Sequence, residues 1–456
     1  MINESPKRSS PGGALGVLFF AVFIDLLGFG ILLPILPFWV TSLGGDAIVY
    51  GLLASSFSIA QFIASPFWGR LSDRRGRRPV ILIGLLGSVL GFGTLLITIL
   101  FFNSLALLFL SRLIQGTFTA ASLPTSQAYI ADSTTGSDRV RGFGLIGVAF
   151  GLGFAIGPFL GGISTALGEI LLVGSNGYWL TALMVTLLAS ANLYLGVRNL
   201  PESLTAPVRE ERRKLELSRK SQSSLGILAI VFSTPSLFLL LTMFAILSLG
   251  FSNMESTLGL FGIARGIFPT PKEASIVFLV VGITAIITQG AILRPLSRKY
   301  SESYLLSAGL IAMVIGFIGI SISYDIWLLG LVAIPIAFGS SIANPSSAAL
   351  LSKIAPKENS GEVLGLNQSL AALARIFGPL MGSALFESFG VEYPYYAGAM
   401  LLFVSFLLSL VLIYLVRSQS LKMTTRYCYN CGFQLRQAVA NCSSCGVVIL
   451  DESMAM

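Results

Sequence analysis

Twelve long apolar runs divide this chain, and they limit its fold more than any other feature. A helix needs about 20 apolar residues to cross the hydrocarbon core of a bilayer, and only helices satisfy their own backbone in lipid at this hydrophobicity. The sequence therefore predicts an all-α membrane protein with twelve transmembrane helices. They are here called spans 1 to 12, at residues 14–42, 48–70, 79–101, 104–130, 142–166, 176–198, 236–262, 274–294, 303–323, 326–352, 363–386 and 393–416.

Composition supports a polytopic membrane protein and excludes several kinds of chemistry. Of 456 residues, 54% are hydrophobic and 11% are charged, against about 25% charged in a soluble domain. Histidine is absent, which rules out a Ser-His-Asp triad, a histidine metal site and a histidine proton relay. Proton chemistry must therefore fall to Asp or Glu, and we expect neither an enzyme nor an organic cofactor. The net charge of +8 comes without basic stretches that carry stacking aromatics, so we expect no nucleic-acid partner.

Lys and Arg are unevenly distributed between the loops. The loops after even-numbered spans carry most of them, including the run Arg74 to Arg78 and the cluster from Arg198 to Lys220, whereas the opposite loops hold only Arg265 and Lys272. Because Lys and Arg accumulate in cytoplasmic loops, we expect both termini in the cytoplasm. The prediction is a multi-pass plasma-membrane protein, monomeric, with an uncleaved first span.

The chain repeats itself after its central polar segment. Five positions recur at an offset of 221, so that Pro124, Gly144, Gly157, Pro158 and Gly161 are matched by Pro345, Gly365, Gly378, Pro379 and Gly382. This predicts two pseudo-symmetric six-helix halves. The expected organisation is an N-terminal tail (1–13), the N-terminal half (14–198), a cytoplasmic linker (199–224), the C-terminal half (225–416) and a cytoplasmic tail (417–456).

The loop after span 2 carries the sharpest motif, and the chain here resembles the major facilitator superfamily. Its key residues are Gly69, Asp73, Arg74, Gly76, Arg77 and Arg78. They resemble motif A of that superfamily; the alternative is a positively charged loop with an incidental Asp. The resemblance implies twelve helices in two halves with a substrate site between them, and a role for this loop as a conformational latch.

Two further motifs fit the same family. Arg112 and Gln115 on span 4 resemble motif B, in which the arginine is linked to proton transfer; the alternative is a structural arginine. Span 5 resembles motif C, which is associated with antiporters; the alternative is a packing helix in a transporter with another coupling. The motif C positions are Gly144, Gly153, Gly157, Pro158, Gly161 and Gly162.

Charged residues inside the spans are the candidates for proton and substrate handling, because such residues are costly in lipid. Asp25 lies in a segment similar to the first helix of twelve-span drug:proton antiporters, the branch that includes the tetracycline efflux pumps. We hypothesise that Asp25, tuned by Arg112, exchanges a proton for substrate; a structural Asp paired with Arg112 is the alternative. The other predicted cavity residues are Gln115, Gln127, Glu255 and Arg375.

The C-terminal tail carries two Cys-x2-Cys pairs, which are Cys428 with Cys431 and Cys442 with Cys445. Four thiolates at this spacing suit tetrahedral Zn²⁺, and the tail resembles small zinc-ribbon modules. We expect structural zinc in a reducing compartment; disulfides or free thiols are the alternative. A protein partner for the tail is one role that the sequence leaves open.

Taken together, the motifs predict proton-coupled efflux of drugs or other small lipophilic molecules by alternating access. A metabolite or sugar porter on the same fold is one alternative, since a fold does not fix a function. A membrane sensor that acts through the zinc tail is another.

Overall fold

The computed structural model describes residues 11–133, 136–173, 175–203, 231–355, 360–423, 426–427 and 434–435. The main elements of this part of the chain are fourteen α-helices, the π-helical turns Thr98–Phe102 and Thr288–Ile292, and one short strand pair. The helices are α1 (Pro11–Leu32), α2 (Leu36–Ser42), α3 (Ala47–Arg75), α4 (Arg77–Ile97), α5 (Leu105–Ser133), α6 (Gly136–Leu171), α7 (Tyr178–Asn199), α8 (Pro235–Ala264), α9 (Pro271–Ile287), α10 (Leu293–Lys299), α11 (Glu302–Ser321), α12 (Ile326–Ile354), α13 (Ser360–Phe389) and α14 (Tyr393–Met423). Strands β1 (Arg426–Tyr427) and β2 (Gln434–Leu435) pair antiparallel.

The helices account for the predicted spans. Within the described ranges, eleven helices are long and apolar enough to cross a membrane, and the bent pair of α1 and α2 brings the number to twelve. Span 1 is α1 with α2, and α3 to α8 are spans 2 to 7. Span 8 is α9 and α10 joined by the π-helical turn Thr288–Ile292, and α11 to α14 are spans 9 to 12. The predicted all-α membrane fold is confirmed.

Span 1 differs from the prediction because it is broken rather than continuous. Its two segments meet at an angle of 44°. Pro34 and Pro37 lie at the break, and a proline inside a helix lacks the N–H that the preceding turn would bond. The break therefore follows from the sequence, although the apolar run alone hides it.

Helix packing in the first six spans is repeated in the last six. Span 1 packs on span 5, span 3 packs on spans 4 and 6, and span 2 packs on span 4. The same pairs recur six spans later, as 7 on 11, 9 on 10 and 12, and 8 on 10. The repeated prolines lie at equivalent places, with Pro124 inside span 4 and Pro345 inside span 10.

The two sets of six helices meet along two seams, between spans 2 and 11 and between spans 5 and 8. Small residues bring the helices close there. A Cβ at Gly51 would lie 2.0 Å from Ser383 Oγ, and a Cβ at Gly162 would lie 2.2 Å from Ser275 Oγ. Ser55 Oγ also donates a hydrogen bond of 2.7 Å to the carbonyl of Ile376 across the first seam.

Both seams lie near one end of the bundle. We call this end, at which odd-numbered spans finish, the distal side, and the opposite end the N-terminal side. Gly51 and Ser275 belong to the first two turns of helices that start on the distal side. Their partners Ser383 and Gly162 lie in the last third of helices that end on that side. The halves are therefore joined tightly on the distal side.

Candidate functional site: an inter-half cavity

A cavity lies between the two halves. We call it the central cavity; its volume is about 60 Å³. Spans 1, 2 and 4 contribute one wall and spans 7 and 11 the other. Its polar and charged lining residues are Tyr50, Ser58, Arg112, Ser252, Glu255, Ser256 and Arg375. The predicted site residues Arg112, Arg375 and Glu255 therefore line the same cavity.

Arg112 enters this cavity from span 4 and is only 2% exposed. Its Nη1 donates a hydrogen bond of 2.9 Å to Gln115 Oε1, one turn further along the same helix. Its Nε and Nη2 have no hydrogen-bond partner among the described residues. A buried charge that is left partly unsatisfied is costly, which favours a functional role over a purely structural one.

Glu255 and Arg375 face the cavity from the C-terminal half, on spans 7 and 11. They interact electrostatically. Glu255 Oε1 is buried and has no hydrogen-bond partner among the described residues. The Arg375 side chain is exposed, although the residue lies halfway along its helix. Glu255 lines the cavity because span 7 is rotated so that this residue faces the other half. The sequence alone does not specify that rotation.

Tyr50 is a cavity residue that sequence reasoning missed. It lies in the first turn of span 2, is 2% exposed and lines the cavity together with Arg112 and Glu255. Tyr50 therefore belongs to the wall in which charged groups of the two halves meet. A single tyrosine in an apolar run gives no signal of this position, because tyrosine is also common at membrane interfaces.

The structure does not bring Asp25 and Arg112 together, contrary to our hypothesis. Asp25 is half-buried on span 1 and accepts a hydrogen bond of 2.9 Å from Ser88 Oγ on span 3. Gly84, one turn before Ser88 on span 3, packs against Ser122 of span 4, because a Cβ at Gly84 would lie 3.2 Å from Ser122 N. Ser122 and Arg112 are ten residues apart on one helix, which corresponds to about 15 Å. Asp25 and Arg112 therefore lie at different depths in the bundle.

A larger cavity shares wall residues with the central one and is lined mostly by the C-terminal half, with Leu33 and Gly151 from the N-terminal half. We call it the lateral chamber; its volume is about 410 Å³. Apolar residues of spans 7, 8 and 10 form most of its wall, and Leu33 and Glu255 line both cavities. Its polar lining comes from Gln289, Ser340, Ser341 and Asn344. Predicted Gln127 is half-buried on span 4 and is not among the described residues that line either cavity.

The glycines of the motif C segment are packing positions for two different helices. A Cβ at Gly153, Gly157 or Gly161 would lie 2.3–2.9 Å from atoms of span 1. Gly162 instead faces span 8 of the other half. Pro158 lies inside the same helix as Gly144 and contacts span 1 near Gly30. Span 5 thus connects the helix that carries Asp25 to the opposite half.

The motif A loop is held by an ion-pair network centred on Arg77, which is 3% exposed. Its guanidinium pairs with Asp73 at 2.7 Å and with Asp132, at the end of span 4, at 3.0 Å. The backbone N–H groups of Arg77 and Arg78 donate to the carboxylate of Glu202, just beyond span 6. Asp73, Asp132 and Glu202 all belong to the first six spans and their flanks, so these contacts tie the loop to its own half.

The remaining motif A residues surround the turn between spans 2 and 3. Gly76 has a φ of +107°, which L residues with a side chain rarely adopt. Gly69 and Arg74 lie in the last two turns of α3. The predicted zinc ligands Cys428, Cys431, Cys442 and Cys445 all lie outside the described residues, and β1 and β2 flank the first pair in sequence.

Comparison with known proteins agrees with this arrangement. The family model of the Major Facilitator Superfamily matches residues 18–270 and 267–426. Multidrug resistance protein 2 of Bacillus subtilis (strain 168) is 27% identical over 401 residues, which cover 87% of this chain and 94% of the relative. Tetracycline resistance protein, class C, of Escherichia coli is 29% identical over 378 residues, or 82% and 90% of the two chains.

A solved structure with the same fold is that of the human organic anion transporter MFSD10. It superposes with a TM-score of 0.62 at 25% identity, covering 88% of this chain and all of that one. The family model, the relatives and the fold agree that this is a multi-pass membrane transporter and not an enzyme. The chain belongs to the Major Facilitator Superfamily.

Proposed function

We propose that this transporter exports drugs or other small lipophilic molecules in exchange for protons. The names of the relatives, which include multidrug and tetracycline resistance proteins, support export of such compounds. The spacing of the span 5 glycines, which resembles the antiporter motif C, supports exchange rather than cotransport.

The observation that carries the proposal is the pair of cavities that both halves line. Ligand sites are mostly apolar with a few placed polar groups. The lateral chamber offers an apolar volume of about 410 Å³, and the central cavity beside it supplies charged groups from both halves. A relative movement of the halves would change access to such a site, as alternating access requires.

We propose Asp25 as the proton-carrying group, separate from the substrate cavity. It is a carboxylate inside a span, bonded to the uncharged Ser88, and the chain has no histidine that could take this role. Leu33, eight residues later on span 1, lines both cavities. A change of charge at Asp25 that shifts span 1 would therefore reach the substrate site about 12 Å away. Arg112 acts on substrate in this scheme.

We further propose that the protein is a plasma-membrane monomer with both termini in the cytoplasm. The Lys and Arg bias of the loops supports this orientation. The N-terminal side would then be cytoplasmic and the distal side external. The structure, with its seams joined on the distal side, would represent the state closed to the outside.

The cysteine tail is proposed to bind one structural Zn²⁺ through Cys428, Cys431, Cys442 and Cys445. Two Cys-x2-Cys pairs supply the thiolates that zinc prefers, and the proposed cytoplasmic side is reducing. A segment of this size has little core of its own, so metal binding would supply its folding energy.

Proton movement in inverted membrane vesicles tests the main proposal. A pH-sensitive dye would report proton release as single compounds from a panel of drugs and metabolites are added. We expect drug-triggered proton release that is lost in Asp25→Asn and kept in Glu387→Gln, which neutralises an exposed carboxylate at the distal end of span 11. Full proton-coupled transport by Asp25→Asn would remove Asp25 from the mechanism. A response to metabolites alone would favour the metabolite porter.

A further inference from the structure

The formal charges that line the central cavity do not cancel. Arg112 and Arg375 each contribute +1, because arginine stays protonated in proteins. Glu255 is the one carboxylate among the described lining residues, and Tyr50 is the remaining titratable group. With Glu255 ionised and Tyr50 neutral, the cavity carries a net charge of +1.

The surplus charge is concentrated at Arg112. Its hydrogen bond goes to a neutral amide, that of Gln115, while Nε and Nη2 are unpartnered among the described residues. These two nitrogens form one edge of the guanidinium plane. Two parallel N–H donors on such an edge match the two oxygens of a carboxylate or sulfonate. Arg112 lines the cavity, so an acidic group bound there would supply the partners that this buried edge lacks among the described residues.

Arg375 provides the second cation from the opposite half, with an exposed side chain beside Glu255. The lateral chamber begins at the same carboxylate, since Glu255 lines both cavities. The charged site and the apolar volume of about 410 Å³ therefore share Glu255 and Leu33 as wall residues. One molecule with a compact acidic group and an apolar body would occupy both.

We infer that the transported molecules are amphiphilic organic anions, whose carboxylate or sulfonate group binds between Arg112 and Arg375 while the apolar body occupies the lateral chamber. Glu255 is then the resident counter-ion of the cavity. This inference rests on the proposed export of small lipophilic molecules and adds their charge. Export of an anion in exchange for a proton moves charge in one direction at both steps, so the membrane potential drives both.

Three naphthalene probes of equal ring size and different charge test the inference. They are naphthalene-2-sulfonate, the neutral naphthalene-2-sulfonamide and 2-naphthylmethylammonium. Binding to the full chain in lipid nanodiscs is measured by calorimetry at neutral pH, with empty nanodiscs as the blank. We expect the sulfonate to bind at least about tenfold more tightly than either other probe, since one unit charge at short range in a protein is worth that much.

Variants of the cavity charges give the second half of the test. Arg375→Gln should remove the preference for the sulfonate and Arg375→Lys should keep it, whereas Glu255→Gln should strengthen sulfonate binding. Arg298→Gln removes the same charge at an exposed position at the end of span 8 and should change nothing. Arg375 is used because Arg375→Lys keeps its charge, so a loss of preference in Arg375→Gln alone reports the charge and not the shape of the side chain.

Two results would overturn the inference. One is tightest binding by the ammonium probe with loss in Glu255→Gln, which would mark a cation site. The other is equal binding of all three probes that Arg375→Gln leaves unchanged. Neither result depends on proton coupling. The two proposals can also fail separately. If sulfonate binding changes with the cavity charges as expected, but the Asp25→Asn variant still exchanges protons, only the proposed proton site is rejected.

Discussion

The seam between spans 5 and 8 gives the sharpest prediction, through the substitution Gly162→Ala. The added Cβ would lie 2.2 Å from Ser275 Oγ and 2.5 Å from Ser275 Cβ. The hydroxyl can rotate, but the Cβ of Ser275 is fixed by its helix. The methyl group therefore fits only if the two halves separate on the distal side.

The magnitude follows from the cost of overpacking. An extra methyl group in a well-packed contact costs about 1–3 kcal/mol. In the proposed alternating-access cycle, only the state with a closed distal side makes this contact, so the cost shifts the equilibrium toward the state that is open there. A difference of about 1–3 kcal/mol multiplies that population about 5- to 150-fold.

Because the distal side is proposed to face outside, cysteine labelling from outside the cell measures this population. The four cysteines all lie between residues 428 and 445, so replacing them with serine leaves a cysteine-free chain. Leu36→Cys then places one thiol in the wall of the central cavity, at a position that is 7% exposed. In intact cells, an impermeant maleimide should react at least about five times faster when Gly162→Ala is added.

Two further variants decide how the result is interpreted. Gly93→Ala adds the same methyl group where no heavy atom lies within 4 Å, and should leave labelling unchanged. Ser275→Gly, combined with Gly162→Ala, removes the clashing side chain and should restore the original rate. An unchanged rate in Gly162→Ala, or a double variant that stays fast, would refute the steric argument.

Two other predictions concern the motif A loop and the tail. Arg77→Gln should lower the free energy of unfolding by about 3–5 kcal/mol in a thermal assay, because it leaves half-buried Asp132 without this partner. Arg70→Gln, at an exposed position, should change the free energy of unfolding by less than about 0.5 kcal/mol. Equal effects of the two substitutions would contradict the network described for Arg77. Purified protein should contain one zinc per chain by elemental analysis and Cys428→Ser should contain less than half of that, while unchanged metal content would reject the four-cysteine site.

The spans and their repeat could be predicted because both depend on local sequence. Apolar length alone defines a span, and the prolines of spans 4 and 10 lie inside their helices where the offset of 221 places them. The motif A turn was equally local, since Gly76 is required by its own backbone conformation. None of these features depends on how one helix is rotated against another.

The site itself depended on helix rotation, which these sequences hide. A span that is apolar on all sides gives no periodic signal for its inward face. For this reason the sequence offered Asp25 as the partner of Arg112, whereas the structure places Tyr50 and Glu255 near that arginine. Charge inside a span identified the important residues, and only packing revealed which of them share a cavity.

The break in span 1 has a mechanical consequence. Its first segment packs on span 5 of its own half, while the second, α2, contacts span 7 of the other half. A residue with a Cβ at Gly259 would meet Pro37 Cγ at 2.6 Å. One broken helix is thus anchored to both halves, and Leu33 lies at its joint, in the wall of both cavities. In the proposed alternating-access cycle, rotation of one half against the other would bend this joint and so change the volume available to a substrate.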